Sequence, residues 1–389
     1  MPSNARTTSS NILIPTDGSE FAGKAARPGS KTAAIRRAVQ PLTGADAATP
    51  PSSSRSWREI VAPYAHADHR RAVGQLLNTG LPFLLLMAAL IYSARSHPGL
   101  IFPLAVPAVF LLIRLFIIQH DCGHGSFFAS RRANDFLGRA LGVLTLTPYV
   151  FWRSSHAVHH ASSGNLDRRG PGDINTLTAR EYRALSPIRR LFYRIYRHPI
   201  TLFGVGPLFL FVIRNRIPTC NPLRHRKIWA SVLGTDSALV AIVLLMVLTV
   251  GGRAVVLAYL PVILVAASAG IWLFYIQHQF EHTYWATGRD WDFHAAALQG
   301  SSFYDLPAVL HWLTGSIGFH HIHHVCSKIP NYRLRDCFEQ NPEFRRVRRL
   351  TLWDSLKCSR LSLWDEERQL LVSFREAAGN MTTRCPPTS

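Results

Sequence analysis

The chemistry in this sequence is concentrated in its histidines, of which there are 18. Four places carry spacings that suit metal binding. His120-Asp-Cys-Gly-His124 is an HxxxH motif. His156-Ala-Val-His159-His160 and His320-His321-Ile-His323-His324 each contain HxxHH, and His278 stands by itself between them. On a helix, residues at i and i+4 share a face, and i, i+3 and i+4 lie along one stripe. HxxxH therefore offers two ligands and each HxxHH three. A structural zinc ion is satisfied by four, so this many imidazoles point to two metals. Neutral imidazole suits iron, copper, nickel and zinc alike, which leaves the metal open. The Glu and Glu-x-x-His ligands of soluble di-iron bundles are missing, so the site is expected to be rich in histidine and poor in carboxylate.

The other candidates are weaker. His321 is out of register with its neighbours and is expected to point away from the metals. His282, His294 and His311 stand alone. Cys122, at i+2 from His120, faces away and reads as packing. His97-Pro98-Gly99-Leu100 is similar to the haem-binding HPGG of cytochrome b5 domains, but it sits in a short loop with no soluble domain around it to hold haem.

Positioning these groups falls to long apolar stretches. Residues 73–92 and 100–118 form one pair, separated only by residues 93–99; residues 229–250 and 254–276 form a second, joined by 251–253. About 20 mostly apolar residues carry a helix across the hydrocarbon core, and each run is close to that. They read as two helical hairpins with short outer loops. Residues 140–152 and 200–213 are shorter or interrupted by Gly and Pro, and read as interfacial or re-entrant. Each hairpin returns the chain to the side it left, so all four histidine clusters fall on one face of the membrane. The outer loops hold little more charge than Arg95 and Arg253. Arginines instead crowd the segment between the hairpins, from Arg131 to Arg226, and the C-terminal part, from Arg333 to Arg349. The positive-inside rule then puts both termini and the histidines in the cytoplasm. Arg114 lies near the inner end of the second run, where it is expected to snorkel to the interface. The expected fold class is an all-α integral membrane protein: four transmembrane helices in two hairpins, with a cytoplasmic helical cap carrying the histidine boxes.

The 389-residue chain is 48% hydrophobic, with 43 Lys+Arg against 23 Asp+Glu and a formal net charge of +20. A basic excess can signal nucleic acid, anionic lipid or cytoplasmic loops. Here the arginines flank apolar runs, which selects the loops and argues against a nucleic-acid partner. The six cysteines (Cys122, Cys220, Cys326, Cys337, Cys358, Cys385) form no CxxC pair. That argues against a zinc ribbon, an iron–sulfur cluster or a disulfide framework, and places the motif-bearing face in a reducing compartment. Residues 1–58, rich in Ser, Ala, Thr, Pro and Arg, lack the apolar core of a secretory signal peptide and read as a disordered N-terminal extension. Within them, residues 11–26 (NILIPTDGSEFAGKAA) are similar to the first strand and turn of a universal stress protein, with the rest of that fold absent. Residues 59–345 read as the membrane domain and 346–389 as a cytoplasmic C-terminal tail.

HDCGHGSFF (residues 120–128), WRSSHAVHHASSGNLDRRGPGDI (152–174), YIQHQFEHTYW (275–285) and GFHHIHHVCSKIPNYRL (318–334) stand in this order along the chain. Together they resemble membrane fatty acid desaturases, in particular the bacterial and plastid branch acting at the Δ12 or ω-6 position. The likeness covers residues 58–342. It implies a di-iron centre held by His120 and His124; His156, His159 and His160; His278; and His320, His323 and His324, with dioxygen as co-substrate and no catalytic side chain beyond the ligands. Asp121, Asp173 and Glu281 become candidates for orienting ring N–H groups. His282 is a departure, since the pattern leads one to expect an acidic residue after Glu281.

The implied activity is introduction of a cis double bond into a membrane-lipid acyl chain, at Δ12/ω-6 on oleoyl groups. Removing two hydrogens from unactivated methylenes is beyond any acid, base or nucleophile among side chains, so a metal and dioxygen must carry the hard step. The chain shows no haem, flavin or iron–sulfur motif. Electrons are therefore expected from a ferredoxin or cytochrome b5 type donor, for which the Arg-rich face offers a docking surface. The likeness places the protein in a bacterial inner membrane, with a plastid membrane as the alternative. A hydroxylase, an acetylenase or a carotenoid ketolase would use the same scaffold. A His-rich metal transporter would place its ionisable ligands near the membrane midplane instead.

Overall fold

The computed structural model describes residues 55–170, 172–218 and 225–379. The expected N-terminal extension lies outside them up to residue 54, and so does the stress-protein-like stretch.

The first apolar run becomes α1 (His69–Ser96), started by Asp68, whose side chain accepts the Arg71 N–H. A single 3-10 turn at Pro98–Leu100 reverses the chain into α2 (Ile101–His124). Two shorter helices follow: α3 (Arg131–Leu144), capped by Ser130, and α4 (Tyr149–Ser162). After α5 (Pro187–Arg197) the chain enters α6 (Arg226–Val250), turns at Gly251, and returns through α7 (Gly252–His278). Helices α1, α2, α6 and α7 are each long and apolar enough to cross a membrane. Leu85, Phe102, Leu245 and Leu248 are exposed on their outer faces, which lipid tails would cover and water would not. Inside, Leu90 of α1, Ala108, Leu115 and Ile118 of α2, and Ala258 and Val262 of α7 pack into one core. Helix α6 leans on α3, α4 and α7.

Both inner ends extend beyond the apolar runs. Helix α2 continues through the whole HxxxH motif to Gly125, which is left-handed at the cap, and α7 ends on His278 itself. The HxxxH motif and His278 are thus carried on extensions of the membrane helices, while the two HxxHH motifs lie on shorter helices. Residues 140–152 are the end of α3, a turn with Leu146 at φ 54°, and the start of α4. The Thr201–Arg216 stretch follows α5 at a bend of 58°, and Pro199 lies in the break between them.

Arg114 departs from expectation. It does not snorkel outward but is buried. Its Nε donates to Thr79 Oγ1 at 3.0 Å, its Nη1 donates to the Trp312 carbonyl, and its guanidinium lies 4.1 Å from the Trp312 ring centre. The reason is that the cap folds back over this end of α2 and supplies partners that the interface would otherwise provide.

The cap contains α8 (Phe293–Gln299), α9 (His320–Val325) and α10 (Asn331–Gln340). Two small sheets tie it together. Strand β1 (Leu177–Thr178) pairs in parallel with β4 (Leu363–Asp365), which pairs antiparallel with β5 (Leu370–Val372). Strand β2 (Phe303–Tyr304) pairs in parallel with β3 (Arg349–Leu350). Trp364 and Leu371 are buried, so the chain as far as β5 is woven into the cap. The architecture is an all-α membrane fold of two helical hairpins beneath a helical, histidine-bearing cap.

Candidate metal centre

Nine histidines converge where the hairpins meet the cap, and they form two groups. His120, His124, His156, His160 and His323 make one; His159, His278, His320 and His324 make the other. Within each group every pair of candidate ligand atoms lies within 4.8 Å. Helix geometry explains the partition. In α4, His156 and His160 are at i and i+4 and serve the first group, while His159, rotated off that line, serves the second. In α9 the roles reverse: His320 and His324 serve the second group and His323 crosses to the first. Each HxxHH therefore gives a pair to one group and a single ring to the other. The groups abut, with His160 stacked on His324 at 4.2 Å.

The sequence supplies partners that fix ring orientation. His120 Nδ1–H donates to Asp121 Oδ1 at 3.1 Å, and Asp121 Oδ2 accepts from Asn331 N at 2.6 Å and Asn331 Nδ2 at 2.8 Å. His159 Nδ1–H donates to Asp173 Oδ1. Gly172 makes this reach possible: at φ 100°, a Cβ there would sit 3.1 Å from the Ser155 carbonyl oxygen and 3.4 Å from His159 Cβ. His278 Nδ1–H donates to the Gly300 carbonyl at 3.1 Å. In each case the opposite nitrogen, Nε2, is left with a lone pair.

Within each group Nε2 atoms crowd together. His278 and His320 approach to 2.9 Å, His320 and His324 to 3.1 Å, His160 and His323 to 3.0 Å, and His156 and His160 to 3.1 Å. The buried Nε2 atoms of His124 and His159 have no hydrogen-bond partner among the described residues. Burial lowers the pKa of His156, His160, His320, His323 and His324 well below the ordinary value, and the neighbouring histidines push the same way. Each close Nε2 pair has room for at most one proton between its rings, and unsatisfied buried acceptors are costly. A cation in each group removes both problems, so the donor set fits two metal ions bound by imidazole.

The remaining candidates fall elsewhere. His321 is buried among Phe303, Phe338 and Phe344, and burial, partly offset by the backbone of Phe344 and Ser302, takes its pKa down to about 3. His282, His294 and His311 join neither group; His311 stacks on Phe319 at 4.7 Å. Cys122 is buried in the membrane-helix core. Glu281 is exposed, and its carboxylate bonds none of the nine rings. It lies three residues past His278, where the chain has left α7, so helical spacing no longer governs it. Asn331 and Gly300 were not singled out by sequence reasoning. Asn331 sits in the IPNYRL stretch already quoted, while a backbone carbonyl such as Gly300's leaves no side-chain signal.

Comparison with known proteins agrees with this geometry. The family model described as fatty acid desaturase matches residues 96–355. A fatty acid desaturase of Bacillus subtilis is 42% identical over 329 residues, covering 85% of this chain and 93% of that protein. The sn-1 acyl-lipid omega-3 desaturase (ferredoxin) of a Synechocystis species is 31% identical over 238 residues, 58% of this chain and 62% of that one. The Delta(12) fatty acid dehydrogenase of Crepis alpina is 26% identical over 250 residues, 58% and 63%. With its four membrane helices, its paired histidine groups and this extent of similarity, the chain is an integral membrane oxidoreductase belonging to the fatty acid desaturase family.

Proposed function

We propose that the protein is an oxygen-dependent di-iron acyl-lipid desaturase that forms a cis double bond in a membrane-lipid chain, at Δ12/ω-6 on oleoyl groups. The observation that carries the reading is the interlocked five- and four-histidine arrangement at the inner ends of apolar helices. The nine histidines would hold two irons, which when bound supply, with dioxygen, an oxidant able to take hydrogen from unactivated methylenes. Overall, –CH2–CH2– and dioxygen, with two electrons and two protons from a donor, give –CH=CH– and two waters. The side chains orient and exclude. Asp121, Asp173 and the Gly300 carbonyl hold ring tautomers so that Nε2 faces inward. Burial disfavours protonation of His156, His160, His320, His323 and His324.

Support for the substrate comes from the relatives' names: one is an acyl-lipid omega-3 desaturase and another a Delta(12) fatty acid dehydrogenase. The ferredoxin in the name of the Synechocystis relative favours a ferredoxin over a cytochrome b5 as donor, and an acidic ferredoxin suits a chain of net charge +20. The histidine side would then face the cytoplasm of a bacterial inner membrane. The test is expression, with a donor, in a host whose lipids contain oleate but no polyunsaturated chains. The expected result is a new 18:2 species that is missing in a His159→Ala variant. A hydroxylated product would move the enzyme to a sister reaction; absence of iron would sink the reading.

A further inference from the structure

Three aromatic side chains stand one helical turn before three of the site histidines. Phe116 precedes His120, Trp152 precedes His156, and Phe274 precedes His278, each by four residues, so each shares its histidine's face. Phe116 meets Trp152 edge-on at 5.6 Å; Trp152 stacks on His156 at 4.6 Å and lies 5.6 Å from His120. Phe274 lies 5.1 Å from His159 and 5.2 Å from His278. On α2 and α7, one turn before the histidine is one turn nearer the membrane interior.

Their exposure is informative. From Leu111 to Cys122 every residue is buried except Phe116, and Trp152 and Phe274 are also partly exposed. Each ring thus keeps part of its surface uncovered beside a packed site. Phe274 also lines a cleft with Ile174, Tyr284, Trp285 and His278, next to the four-histidine group. The backbone accommodates the indole: a Cβ on Gly123 would fall 2.7 Å from Trp152 Cζ3.

We propose that Phe116, Trp152 and Phe274 form the aromatic wall along which the acyl chain lies against the two histidine groups, and that this wall selects which carbons are placed there. The proposal rests on the acyl-desaturase reading and deepens it. An oleoyl chain offers methylenes and one carbon–carbon double bond, with no polar atom to register against. Only apolar walls can set its position, and one methylene in such a pocket is worth about 10- to 200-fold in discrimination.

The experiment compares the unmodified enzyme with Phe116→Ala, Phe274→Ala and the milder Phe274→Leu and Trp152→Phe. All are expressed in membranes containing 16- and 18-carbon monounsaturated chains, with bond positions located by derivatisation and mass spectrometry and metal content measured on purified protein. The expected result is retained metal together with a preference for one bond position or chain length that falls by at least about tenfold. An unchanged product profile in metal-replete variants would overturn the proposal. Loss of metal in both Phe274→Leu and Trp152→Phe would also overturn it, making these rings props for the histidines. If the unmodified enzyme, fully loaded, forms no unsaturated product from any lipid, the parent reading fails, and that is visible before any variant is compared.

Discussion

In the five-histidine group the residues His124, His156 and His160 are partly exposed, whereas all four residues of the group around His278 are buried. The sealed group has His159 bonded to Asp173 and His278 bonded to the Gly300 carbonyl. The more open group has His120 bonded to Asp121, which Asn331 anchors in turn. Two sites of one ligand type thus sit in different surroundings. The difference suits a centre in which one side is held firmly and the other is approached. Their crossing rings, His159 and His323, mean that disturbance of one group reaches the other through α4 and α9.

The largest effect should come from acid acting on metal-free protein. Burial puts the native pKa of His156, His160, His320, His323 and His324 below the unfolded value. Below about pH 6.5 the unfolded chain then binds protons that the folded chain refuses, so stability is full above that pH and falls as pH drops toward the depressed native values. If at least two rings act, the slope is about 3 kcal/mol per pH unit. Thermal unfolding of chelator-treated protein in detergent between pH 7 and 5 measures it. A flat profile would mean that the rings titrate in place and that neither group is dry.

Next is Asp173→Asn, which keeps an acceptor for His159 Nδ1–H but removes its charge. Metal affinity should fall about 10- to 100-fold, with the sealed group emptied first. Metal content after dialysis against graded chelator follows this. Equal loss from both groups would replace the contrast between them with a single cooperative unit.

Arg114→Leu tests the join between membrane helices and cap. It removes the donor to Thr79 and to the Trp312 carbonyl, and losing hydrogen bonds from a charged group typically costs about 1.5–3 kcal/mol. A lowered unfolding temperature with intact metal loading is expected. Loss of metal at unchanged stability would place Arg114 among the groups that shape the centre.

Much of this was legible because it is periodic. The four spans could be read from apolar length, and eight of the nine histidines from i, i+3 and i+4 spacing on helices; His278, which stands alone, was found from its place at the end of the fourth run and from motif likeness. Their division into two groups could not, because one stripe of three rings does not say which neighbour each ring will meet; that depends on how α4 and α9 cross. Arg114 was misread for a related reason. Its partner Trp312 lies 198 residues away, and no local pattern reveals that the cap returns there. Asp173 was found through motif likeness, but the turn that brings it to His159 depends on Gly172 at positive φ.

Glu281 gives the smallest expected effect and a sharp check on where helical reasoning stops. Three residues from His278, it would share that face if α7 continued, but α7 ends at His278 and Glu281 is exposed. Its backbone carbonyl accepts the Leu371 N–H at 2.8 Å, a bond that any residue can make. Asp173 and Asp121, by contrast, reach their rings directly. Glu281→Gln should therefore leave metal content unchanged and alter stability by less than about 0.5 kcal/mol, as surface substitutions usually do. A loss of metal or activity comparable to that of Asp173→Asn would mean that residues 279–286 rearrange when the centre is filled, bringing the carboxylate to the sealed group and reversing the contrast drawn between these acidic side chains.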